Sequence, residues 1–151
     1  MNITEERPVV FTALSRHIFY ARMLICKFAL LHDAVPINPF TNWGYFLDDL
    51  VDRDLVRRAN NNMIIRADEL WVFGPISNGV LFEIQLAMQL GKAVRFFSVG
   101  PRYQDILPLR ADAIEFEADV ESSKESAALI ERLAMQGADR SQATTKTHED
   151  R

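Results

Sequence analysis

The chain has 151 residues, 48% of them hydrophobic, with 17 Lys and Arg against 21 Asp and Glu for a formal net charge of -4. That length suits one domain whose core needs no covalent staples, and the acidic balance excludes a general binder of polymeric nucleic acid resting on a basic surface. The single cysteine, Cys26, excludes an intramolecular disulfide framework and a Cys-based zinc site, while His17, His32 and His148 fall at no metal-ligand spacing.

Glu5, Glu6 and Pro8 so close to the start give no secretory signal shape, and no apolar run approaches the ~20 residues of a membrane helix. The expectation is a cytoplasmic domain with no membrane partner. Pro8 to Leu14 is a short apolar, β-branched run and reads as a strand buried on both faces. From His17 to His32, Ile18, Ala21, Ile25, Phe28 and Ala29 recur at helical spacing, with Ser15 as N-cap. Ala34 to Asn38 forms a second strand, and Pro36 within it places that strand at a sheet edge. An aromatic loop, Phe40 to Phe46, leads into a charged helical stretch from Asp48 to Arg66. Glu69 to Phe73 is the third strand, closed by Gly74 and Pro75. Asn78 then caps a helix running to Leu90, which Gly91 stops. Ala93 to Val99 is a fourth strand and Ala113 to Phe116 a fifth. A helix follows from Ser122 to Met135. Residues 139–151 are polar and aperiodic and read as a flexible tail to a single domain over residues 1–138.

Alternating strands and helices imply right-handed crossovers and a parallel sheet covered on both sides. Five strands give a flavodoxin-like or Rossmann-like three-layer α/β sandwich in the order 2-1-3-4-5. Its ligand crevice lies beyond the carboxyl ends of strands one and three, where the order reverses.

That crevice directs attention to Gly74–Ile84, which reads GPISNGVLFEI. A strand-to-helix turn accounts for all of it except Glu83, which shares a helix face with Val80, Ala87 and Leu90. A carboxylate on an apolar stripe is desolvated and costly unless it is paired or used. The competing reading is an acid favoured by the helix dipole.

A strand, a short polar loop and then Gly-x-x-x-Glu opening a helix resembles the nucleoside 2-deoxyribosyltransferase superfamily, with Gly79 and Glu83 on the motif. Val9 to Leu14 followed by Ser15-Arg16, and then Tyr20-Ala21-Arg22, is similar to the opening of its 2'-deoxynucleoside 5'-phosphate N-hydrolases. Asp54-Leu55 resembles the Asp-Leu whose aspartate handles the proton of the leaving base. The resemblance spans about Pro8 to Val99. It implies Glu83 as nucleophile, Asp54 as general acid with Asp52 and Asp68 as competitors, and a homodimer or larger homo-oligomer. Ser77 stands where the transferases carry a sugar-binding aspartate and the nucleotide hydrolases a phosphate-binding serine. That substitution favours a nucleoside 5'-monophosphate over a free nucleoside.

The implied reaction is cleavage of an N-glycosidic bond, with one carboxylate attacking C1' and a second carboxyl group protonating the base; it requires no metal and no organic cofactor. Ser15, Ser77 and Arg16, together with backbone N–H groups around Asn78 and Gly79, are candidates for the phosphate. Plain N-capping is an equal reading for Ser15. Trp43 and Tyr45 are candidates to stack on the base. The alternative function is a catalytically silent nucleotide-binding or sensing module of the same fold.

Overall fold

A computed structural model describes residues 2–44, 50–120 and 123–146. Four strands, β1 (Val9–Leu14), β2 (Val35–Ile37), β3 (Glu69–Phe73) and β4 (Ala93–Phe97), form an all-parallel sheet in the order β2-β1-β3-β4. Val10 pairs with Pro36 on one side of β1 and with Glu69 on the other. The two central strands carry the near-continuous apolar runs, and the proline-bearing strand lies at an edge, as the sequence requires.

Side-chain alternation divides the core into two layers. Phe11, Ala13, Leu70, Val72 and Phe96 face α3 (Arg53–Arg66) and α4 (Asn78–Gln89), packing on Ile64, Val80, Ile84 and Ala87. Val10, Leu14, Trp71, Phe73 and Phe97 face α1 (Arg22–Leu31) and meet Ile25, Phe28 and Ala29. The result is a three-layer, Rossmann-like α/β architecture. No helix among the described residues is long and apolar enough to cross a membrane.

Five expectations are corrected. The fifth strand does not form. Ala111–Ala113 is a 3-10 turn, and only Phe116 makes a bridge, parallel to Ile76. The outer edge of β4 is met instead by an antiparallel return, with Leu109 N–H donating to the Phe96 carbonyl at 2.8 Å and Ser98 N–H to that of Leu107 at 2.8 Å. The helix cap after β3 is Ser77, not Asn78, because its hydroxyl oxygen is the one that accepts from Val80 N–H. The first helix opens as a 3-10 turn over Arg16–Ala21, capped by Ser15, before α1 begins. The aromatic loop begins as a helical turn, α2 (Pro39–Asn42), capped by Asn38. The last helix, α5 (Lys124–Lys146), runs past the expected Met135 end into the stretch read as a tail. No proline interrupts that stretch, and its composition tolerates helix despite Gly137.

Candidate functional site

Parallel strands deliver their following loops to one side of the sheet, so the turns after β1 and β3 meet there by construction. Between them lies a cavity of about 360 Å³. The β1 turn contributes Ser15, Arg16 and His17, and the β3 turn and first turn of α4 contribute Ser77, Asn78, Gly79 and Glu83. α3 supplies Arg53, Arg57 and Asn60; Phe40 comes from α2; Glu117 and Asp119 come from the segment after β4.

Glu83 is the distinctive group. Val80, Leu81, Ile84 and Ala87 around it on α4 are buried, and its Oε2 is sealed from solvent with no hydrogen-bond partner. Burial pushes its carboxyl up from the usual 4.5 to about 8. A buried acid with no donor aimed at its charge keeps its proton, because ionisation would place a charge in a poorly polarisable surrounding. Perturbed acids of this kind gather at working sites.

The neighbouring groups are tied together. Ser15 is buried, and its hydroxyl donates to Glu117 Oε1 in a short hydrogen bond. His17 Nδ1 lies 2.8 Å from the same oxygen. Ser77 uses its oxygen as the α4 cap, accepting from Val80 N–H at 3.3 Å, which leaves its hydroxyl proton to point elsewhere. Asn78 Nδ2 donates to Asp119 Oδ2 at 3.1 Å. A Cβ placed on Gly79 would meet nothing nearer than Ser77 Oγ at 4.0 Å, so the glycine leaves the mouth of the helix open. Three arginines on the wall, Arg16, Arg53 and Arg57, favour an anionic ligand at this helix N-terminus.

The cavity therefore unites Ser15, Arg16, Ser77, Asn78, Gly79 and Glu83 among the expected site residues. It does not include Asp54, whose carboxylate is 70% exposed on the first turn of α3 and ion-paired with Arg57 at 3.3 Å. Helical geometry explains this: Arg53, Val56, Arg57 and Asn60 share the inward face, and Asp54 falls off it. Of its competitors, Asp52 is the α3 cap and Asp68 accepts from Val9 N–H at 2.7 Å, a structural role for each. Ser15 gives its only hydroxyl proton to Glu117 and so is committed to the protein rather than to a phosphate. Tyr20 is exposed and off the wall. Trp43 is also off the wall; its ring N–H donates to Asn60 at 2.9 Å, which makes Phe40 the aromatic of the site. Tyr45 lies outside the described residues.

Sequence reasoning missed Glu117, Asp119 and the α3 arginines. Glu117 sits just past the would-be fifth strand, which in a five-stranded order would stand far from the β1–β3 crevice. Backbone bonds from Ile76 N–H to Glu115 O (2.9 Å) and from Glu117 N–H to Ile76 O (3.0 Å) instead fasten that segment to the β3 turn. The signal available was the acidic run after a short apolar stretch; its partner was not.

A Rossmann-like domain with a charged crevice at the switch point of its sheet is the class these observations define. Residues 12–97 match the family model described as Domain of unknown function (DUF7768), and the chain belongs to that family. The matched span holds Ser15, Ser77 and Glu83 and ends before Glu117. None of the curated proteins matches the chain.

Proposed function

We propose that the protein cleaves the N-glycosidic bond of a nucleoside 5'-monophosphate, or of the corresponding nucleoside, with Glu83 as the nucleophile, in the manner of the nucleoside 2-deoxyribosyltransferase superfamily and nearest its nucleotide hydrolases. The observation that carries this reading is the unpaired Glu83 carboxyl in the wall of an arginine-lined cavity. A structural role would have given it a partner. A cavity of about 360 Å³ lies within the range of small-ligand sites and suits a mononucleotide rather than a polymer. Ser77, Arg16 and the first N–H groups of α4 are suited to the phosphate, and the Phe40 ring to the base.

In such a reaction the ionised carboxylate attacks C1', the base departs with the glycosidic electron pair and gains a proton, and water or a second base releases the sugar. Positive charge building at C1' is what a desolvated carboxylate stabilises best. A second reading, a nucleotide-binding module without turnover, is favoured by one observation: Asp54, the expected acid, stands outside the cavity.

Chromatography of free base released from ribo- and deoxyribonucleoside 5'-monophosphates and free nucleosides tests the choice. The native protein should release base, and Glu83→Gln should reduce that release by roughly a thousandfold or more. Undiminished release by Glu83→Gln removes the nucleophile. Nucleotide binding by calorimetry with no base released from any of the panel selects the binding module.

A further inference from the structure

N-glycosidic cleavage through a glycosyl ester needs a second carboxyl group, and Asp54 is placed to supply none. Glu117 and Asp119 are the other carboxylates of the cavity. Asp119 is exposed to water and tied to Asn78. Glu117 differs. Its side chain is only 17% exposed, and both of its donors, the Ser15 hydroxyl and the His17 ring, converge on Oε1. No described residue bonds Oε2, so one oxygen is fixed by the protein and the other is left for a reacting molecule. Holding a carboxylate by one edge from two directions sets its position without consuming its chemistry.

Resting on the glycosidase reading above, we propose that Glu117 is the proton-transfer residue of the reaction, positioned by Ser15 and His17. In the first step a lone pair of the Glu83 carboxylate forms the bond to C1', the C1'–N bond breaks with its electron pair going to the base nitrogen, and the Glu117 carboxyl gives that nitrogen its proton. In the second step a water oxygen bonds to C1', the ester bond to Glu83 breaks with its electron pair returning to the carboxylate, and Glu117 takes the proton lost by the water. The sum is nucleotide plus water giving base plus sugar phosphate, with both glutamates restored. Glu117 passes through both protonation states while Glu83 passes from carboxylate to ester and back, which is the division of roles in retaining glycosidases.

The test separates the two steps. An N7-methylated purine nucleoside 5'-monophosphate carries a cationic base that departs without needing a proton, so its first step bypasses Glu117. With this substrate Glu117→Gln should release about one equivalent of base per chain at the native rate, then slow by roughly a hundredfold or more. Mass spectrometry should find the sugar phosphate on Glu83. Ser15→Ala, which keeps Glu117 and removes one donor, should slow the second phase several-fold and leave the first intact.

Steady release by Glu117→Gln within about threefold of native, with no ester, overturns the role of Glu117 while leaving Glu83 as nucleophile. Equal slowing of both phases by Ser15→Ala also overturns it. No base released by the native protein from this or any nucleotide overturns the proposal and the reading beneath it together.

Discussion

Asn38 and Glu83 are both polar side chains drawn inside this fold, and their surroundings are opposite. Asn38 follows β2, almost wholly buried, and both ends of its amide are bonded: Nδ2 donates to Thr12 Oγ1 at 3.0 Å, and Oδ1 accepts from Phe40 N–H at 3.0 Å and Thr41 N–H at 3.3 Å. Thr12 in turn donates to the Ile37 carbonyl at 3.1 Å. Glu83 has one oxygen sealed away with no partner at all. A satisfied buried network specifies a structure, whereas an unsatisfied acid lowers stability and persists where its chemistry is used. The first site builds the crevice wall; the second is what the crevice contains.

The largest effect that would sharpen this contrast is the pH dependence at Glu83. Its folded value, about 8, lies above the ordinary 4.5, so the folded protein keeps a proton that the unfolded chain has released. Stability associated with that proton is complete below pH 4.5, falls as pH rises towards 8, and is gone above it. Chemical denaturation of the native protein and of Glu83→Gln should therefore diverge across that window, by on the order of 4 kcal/mol in favour of Gln. Base release from the N7-methylated nucleotide, whose first step needs no proton from Glu117, should run the other way, kcat/KM of the native protein climbing until about pH 8 as the nucleophile ionises. A stability difference flat from pH 4.5 to 8 would show Glu83 to be ionised and compensated inside the fold, and the contrast with Asn38 would collapse.

At the satisfied site the effect is smaller and has no pH dependence. Asn38→Ala removes the donor to the buried Thr12 hydroxyl and leaves the capping N–H of Phe40 without its acceptor, and should lower stability by about 1 to 2 kcal/mol in urea denaturation. A loss under about 0.5 kcal/mol would mean that water replaces the amide freely. The smallest effect belongs to Asp54. Asp54→Asn breaks an exposed ion pair with Arg57 and should change stability by less than about 1 kcal/mol and base release by less than about twofold. A loss approaching that of Glu83→Gln would return Asp54 to the chemistry and displace Glu117.

Much of this was legible along the chain. The β3-to-α4 segment was readable because its determinants are local. An apolar run gives the strand, Gly74 with φ +74° gives the turn, a polar residue gives the cap, and Glu83 falls on a helix face already marked apolar. Only the cap itself failed, Asn78 being expected where Ser77 serves, a matter of one residue. Asp54 was misplaced because its assignment depended on a rotation about the α3 axis. Arg57, three residues on, reaches the cavity where Asp54 does not. Trp43 was likewise an aromatic of the right kind on the wrong side of Asn60.

What the sequence determined by itself was the alternation of strands and helices, the parallel sheet with β2 at its edge, the crevice between the turns of β1 and β3, and an unexplained carboxylate within it. Those follow from periodicities and caps that act within a few residues. Only the tertiary structure decided that the stretch around Phe116 abandons the sheet edge for a bridge to Ile76, and so brings Glu117 a hundred positions along the chain from His17 to within 2.8 Å of it. That pairing depends on which edge of β4 is already taken, a competition between distant segments for the same backbone groups. No spacing along the chain encodes its outcome.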